Sequence, residues 1–135
     1  SVGPLRGKII AAGAPYVQDV VLTGINLKEV GAMVFPTPAV RVLSGLATDA
    51  PLADVLGSAP VLAHFQNLIN ELAKTATGSA SRIARMCLLS EPPTIDKGEI
   101  TDKGSINQRS VLMHRADTVA ALHEERLHFI LKPTL

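Results

Sequence analysis

The residues with the most reactive chemistry per position lie in Gly98–Arg109, GEITDKGSINQR. Gly98 and Gly104 bracket Glu99, Asp102 and Lys103 on a backbone free to bend, and Lys97 stands just ahead of them. A lysine in that setting suits reversible contact with an anion. Ser105-Ile106-Asn107-Gln108 fits the S-x-x-Q capping box, which predicts a helix starting at Ile106 with Ser105 as its cap. The N–H groups of such a helix start would point the same way as the ammonium. On local chemistry alone, the same stretch is a solvated surface turn with a well-made cap.

The remaining reactive side chains form no second constellation. His114, His123 and His128 show no metal spacing with Cys87 or with any carboxylate cluster, so no metal site is expected. His64 lies near the apolar stripe of a helix and is expected at the edge of the core. Cys87 falls in mid-strand as a small buried hydrophobe. Arg82 and Arg85 precede it in the chain, either as nucleotide-phosphate contacts or as ordinary sheet-edge charges.

The elements that must position the loop read as a small α+β domain. Pro4 suits the first turn of a short helix carrying Leu5, Ile9, Ile10 and Ala12, ended by Gly13. Val17–Thr23 and Val30–Phe35 are β-branched runs joined by Gly24-Ile25-Asn26-Leu27-Lys28-Glu29, a hairpin-length link. Pro51–Thr75 is helical, interrupted at Gly57, and Val61, Leu62, Phe65, Leu68, Ile69 and Leu72 recur at helical spacing. Thr77-Gly78-Ser79 then opens a polar loop. Arg82–Leu89 is a third strand, ended by Pro92-Pro93, and a final helix aligns Leu112, Ala116, Val119 and His123. Strands and helices in this order, without regular alternation, predict a sheet of about three strands packed against helices. Residues 125–135 form a tail too apolar to hang free, with no function assigned.

Composition narrows the function classes. At 135 residues and 47% hydrophobic content, the chain has enough material for one compact core. Aromatics are 3% with no Trp, so there is no platform for stacking bases. A formal net charge of +1 gives no reason to expect nucleic acid or a membrane surface as partner. One cysteine excludes an internal disulfide and fits a reducing, cytoplasmic setting. No apolar run approaches the ~20 residues of a membrane span. The opening Ser1-Val2-Gly3, without an initiator Met, makes a fragment of something larger the expectation.

Two stretches carry a resemblance. SVGPLRGKIIAAGAPYVQDVVLTG near the start and PPTIDKGEITDKGSINQRSVL near the end resemble the C-terminal domain of AMP-forming acyl-CoA synthetases, most closely the feruloyl-CoA synthetase branch. The resemblance covers about residues 1–124 and leaves only the tail outside. It implies a mobile α+β lid hinged to a large N-terminal adenylation domain of the same chain. In such enzymes one lid face completes adenylation of a carboxylate. The lid then rotates, and another face lines the tunnel by which CoA reaches the acyl-adenylate.

Carried onto this chain, the adenylation loop is Gly98–Arg109, with Gly98, Thr101 and Gly104 facing the adenylate. The family's catalytic lysine follows a proline, a short spacer and a glycine. Matched on Pro93 and Gly98, that position holds Glu99, which cannot do the job. The role therefore passes to Lys103, four residues on, with Lys97 in reserve. Gly3, Pro4 and Arg6 fall on the CoA-tunnel side, where Gly3 would let backbone approach a thin ligand. Arg6 is either a phosphate partner or a helix-surface charge. ATP, Mg2+ and CoA are the implied cofactors, bound mostly by the N-terminal domain, with an aromatic or hydroxycinnamic acid as substrate. The alternative is a stand-alone protein-interaction module without catalytic activity, and the sequence upstream of Ser1 separates the two.

Overall fold

In the computed structural model, which describes residues 2–25, 27–78 and 82–134, the sheet is mixed and has helices on both faces. The elements are α1 (Val2–Gly13), β1 (Val17–Thr23), β2 (Val30–Pro36), α2 (Ala39–Ser44), α3 (Leu52–Leu56), α4 (Ala59–Thr75), β3 (Ile83–Leu88), α5 (Gln108–His114) and α6 (Ala116–His123). Strand order is β1-β2-β3, with β1 antiparallel and β3 parallel to the central β2. The β1–β2 link makes the expected hairpin, although Asn26 within it lies outside the described residues, as do Ser1 and Ser79. The parallel step from β2 to β3 needs a crossover, which α2, α3 and α4 supply.

The strands are buried nearly throughout instead of alternating, because both faces are covered. Val20, Leu22, Ala32 and Val34 pack in one cluster with Ile9 of α1 and Val61, Phe65, Leu68, Ile69 and Leu72 of α4. Val21, Met33, Phe35 and Cys87 form the other, with Ile106, Val111 of α5 and Leu122 of α6. At ~25 cal/mol per Å2 of apolar surface removed from water, these two cores are the main stabilising contribution to the fold.

Three sequence expectations need correction. α1 begins at Val2, ahead of Pro4. The six-residue α2 was missed, since a β-branched run after Pro38 carries no helical period; Gly45, at φ 72°, closes it. The single final helix is two, broken at Arg115, whose N–H still bonds Val111 O.

The apolar tail has a structural account. Met86 and Leu131 exchange both backbone hydrogen bonds, at 2.8 and 2.9 Å, on the open edge of β3. Gln66 Nε2 donates to Lys132 O at 2.8 Å, and Asn70 bonds Thr134 through side chain and backbone, each at 3.0 Å. The tail is thus a strap from the sheet edge to α4, with the half-buried Leu131 packed against the first core cluster.

Candidate functional site

The stretch 99–107 is a tight hairpin. Ile100 and Ile106 pair antiparallel, Asn107 N donates to Glu99 O at 2.9 Å, and Thr101 N donates to Ser105 O at 2.8 Å. Gly104 N returns to Thr101 O at 2.9 Å, so Asp102 and Lys103 are the central pair of a turn. The Thr101 and Ser105 hydroxyls meet at 2.8 Å across its neck. Gly98 and Gly104 have φ of 69° and 82°, the left-handed region that glycine enters without a Cβ penalty. Lys103 stands exposed at the tip, and Lys97 is exposed in the turn before the hairpin. Among the described residues, neither ammonium is engaged by a hydrogen bond or an ion pair.

The capping expectation fails here. α5 starts at Gln108, two residues later than expected, and its cap is Asn107, whose Oδ1 accepts from Ser110 N at 3.1 Å. Ser105 instead spends its hydroxyl on the hairpin. Lys103 therefore stands at a hairpin tip and has no helix start beside it.

Besides Ile106, which packs in the second core cluster, two polar side chains hold the hairpin to the body of the protein. Glu99, 1% exposed, accepts from Arg115 Nε at 2.9 Å and Arg115 Nη2 at 3.0 Å, and from Thr94 N at 2.9 Å. Arg115 also donates to Glu91 O and Pro92 O, at 2.8 and 3.0 Å, and its guanidinium lies 5.0 Å over the Phe35 ring. The Arg115 hydrogen bonds hold the Glu99 carboxyl below the usual carboxylate range, against the opposing pull of burial. Gln108, at the other leg, accepts from Leu22 N at 3.2 Å and donates to Val20 O at 3.0 Å, closing part of the free edge of β1. Sequence reasoning missed Arg115 and Gln108: one acts at long range in the chain, and the other was absorbed into a capping box that does not form.

The second candidate face lies on α1. Gly3 and Pro4 are exposed on its first turn, and a Cβ built on Gly3 would meet nothing within 4 Å. Arg6 is committed inward: Nη2 contacts Asp19 Oδ1 and Oδ2 at 2.7 and 2.9 Å, and Nε donates to Val20 O at 3.3 Å.

A family model described as the AMP-binding enzyme C-terminal domain matches residues 3–127. The chain belongs to that family. No curated protein sequence matches it. Among solved structures, the fold is similar to the adenylation domain of a carboxylate reductase from Mycobacterium chelonae, at 20% identity and TM-score 0.57, over 87% of this chain and 17% of that one. It is also similar to the A-PCP didomain of the carboxylic acid reductase from Segniliparus rugosus in complex with AMP, at 20% identity and TM-score 0.54, over 88% and 16%. The A domain of that reductase, in complex with AMP and a co-purified carboxylic acid, matches at 22% identity and TM-score 0.54, over 89% and 18%. The chain thus spans about a sixth of the length of these structures.

Within this AMP-binding C-terminal domain several other titratable groups are held in the packed interior or at its edge. Arg85 is buried, correcting the sheet-edge reading: it pairs with Glu29 and donates to His123 O at 2.9 Å. His123 Nε2 lies 2.7 Å from Thr23 Oγ1, and burial, with Arg85 nearby, lowers its pKa. His64 sits edge-on to Tyr16 and Phe65, its pKa lowered by burial. Cys87 is buried, and its thiol pKa is pushed up to about 12. Arg82 is exposed. No group of three His, Cys, Asp or Glu among the described residues could hold a metal ion. No helix among them is long and apolar enough to cross a membrane.

Proposed function

We propose that this domain is the mobile C-terminal part, residues 1–124, of a cytoplasmic ATP-dependent, AMP-forming acid–CoA ligase of feruloyl-CoA synthetase type. Its substrate is an aromatic or hydroxycinnamic acid. The carboxylate attacks the α-phosphorus of ATP, giving acyl-adenylate and pyrophosphate. The CoA thiol then attacks the acyl carbon, forming the thioester and releasing AMP. ATP, Mg2+ and CoA have most of their contacts on the N-terminal domain of the same chain. The observation that carries the reading is Lys103: an unengaged ammonium at the tip of a hairpin whose two legs are tied to the sheet and to the α5–α6 junction. Such a group places fixed positive charge beside the oxygens on which charge develops. Gly98, Thr101 and Gly104 shape the backbone that presents it.

The test separates the half-reactions in the full polypeptide. Lys103→Ala should slow adenylate formation on the order of a hundredfold to a thousandfold. It should spare thioester formation from pre-made acyl-adenylate and CoA. Lys97→Ala, run in parallel, identifies the lysine if the defect follows it instead. If neither slows the first step tenfold, the loop is only a turn, and the interaction-module alternative gains.

One observation favours a second reading. The solved neighbours are adenylation domains of carboxylic acid reductases. That reading keeps the adenylation step and drops CoA as acceptor. Release of a CoA thioester by the full polypeptide decides for the ligase.

A further inference from the structure

Glu99 stands where the resemblance would place a lysine, and the structure engages that glutamate in a buried ion pair with Arg115. We infer that Glu99 and Arg115 are a positioning pair that fixes Lys103 for adenylation; this rests on the role proposed for Lys103. From Glu99 the chain runs up the hairpin through Lys103, down to Asn107, along α5 and ends at Arg115. The Glu99–Arg115 contacts, at 2.9 and 3.0 Å, close that path into a ring. Inside the ring, Asn107 N bonds Glu99 O at the hairpin base and Asn107 caps α5, so no joint is left open between the pair and the turn.

Arg115 cannot relax into another partner, because Glu91 O, Pro92 O and the Phe35 ring fix its remaining faces. Glu99 is likewise held by Thr94 N. Glu99 is buried and Arg115 mostly so, with side chains 1% and 12% exposed, so solvent has little access to the contact between them. Glu99 touches no reacting group in this scheme; it sets the direction from which an exposed ammonium arrives. A misplacement of about 1 Å in such a group costs roughly a hundredfold in rate.

The experiment uses the full polypeptide and scores the two half-reactions separately. Glu99→Gln should lower kcat for adenylate formation roughly tenfold to a hundredfold. KM for ATP and for the acid should stay unchanged, as should thioester formation from pre-made adenylate. In a Lys103→Ala background the same substitution should cause no further loss, because the pair acts only through that lysine. A paired Glu99→Met, Arg115→Met variant covers the case in which Glu99→Gln fails to fold, since apolar replacement of a buried ion pair is often tolerated. It should fold and still adenylate slowly. Additive loss in the Lys103→Ala background, equal loss in both half-reactions, or full activity in the paired variant would each overturn the inference. Should Lys103→Ala itself leave adenylation intact, the reading of the lysine falls and this inference with it. Should Lys103→Ala slow the step while Glu99→Gln does not, only the positioning pair is refuted.

Discussion

Arg6 of α1 and Gln108 of α5 donate to the same oxygen, the carbonyl of Val20, at 3.3 and 3.0 Å. Each comes from a different candidate face, one on the first turns of α1, proposed to line the CoA path, and one at the foot of the lysine hairpin. Both faces therefore hang on one residue of the edge strand β1. Gln108→Ala should cost about 1–3 kcal/mol, as Leu22 N loses its partner and Val20 O loses one of two donors. Because the acceptor is shared, Arg6→Ala with Gln108→Ala should lose more than the two singles add up to, by about 0.5 kcal/mol or more. Urea unfolding of the three variants measures this, and strict additivity would deny the shared acceptor.

Acid should weaken the Glu99–Arg115 ring. The folded-state pKa of Glu99 lies below its ordinary 4.5, so the unfolded chain binds the proton more readily. The stability this group contributes is complete above about pH 4.5 and is lost as pH falls through the lower, folded value. Arg115→Met, which leaves a buried carboxylate unpaired, should cost about 3–5 kcal/mol at pH 7. It should also remove the share of the acid-side decline due to this pair. Denaturant midpoints between pH 7 and pH 3 test both, and an unchanged pH slope in the variant would assign the decline to other carboxylates.

Much of the fold was legible because local patterns and tertiary packing agree. Val17–Thr23, Val30–Phe35, the break at Gly57 and the stripe from Val61 to Leu72 are all where periodicity and glycine place them. The failures sit where long-range contacts decide. Ser105 satisfies a capping box in sequence, yet the Thr101 hydroxyl and the Ile100–Ile106 pairing draw it into the hairpin, and Asn107 takes the cap. The helix break at Arg115 follows no breaker residue; it lies where the guanidinium turns to reach Glu99, Glu91 and Pro92. Arg85 looked like a surface charge because nothing local shows Glu29 and His123 O converging on it.

Cys87 should be chemically silent in the folded protein. Burial pushes its thiol pKa up to about 12, so at pH 8 only on the order of one thiol in ten thousand is ionised. A thiol-specific disulfide reagent should leave it unmodified over the time in which the urea-unfolded chain reacts completely. Equal rates with and without urea would show that β3 opens readily.

The most discriminating test of the second face is Gly3→Leu. A Cβ at Gly3 meets nothing within 4 Å, and the residue is exposed on the first turn of α1. Leucine therefore creates no clash within the domain. Replacing a helical glycine should raise local helix stability by up to about 1 kcal/mol. A loss of activity would then arise from whatever faces α1 in the working enzyme. If this turn lines the path of the CoA thiol, thioester formation from pre-made acyl-adenylate should fall at least roughly tenfold, a steric block of the kind that ruins alignment. Adenylate formation should stay within about twofold, because the proposed mechanism gives the two half-reactions different orientations of the domain. Arg6→Ala supplies the contrast: it releases Asp19 and one donor to Val20 O, so it should lower the unfolding midpoint and slow both half-reactions together. A Gly3→Leu enzyme that makes thioester at the parent rate would take this turn out of the thiol path and leave the adenylation loop as the working face of the domain.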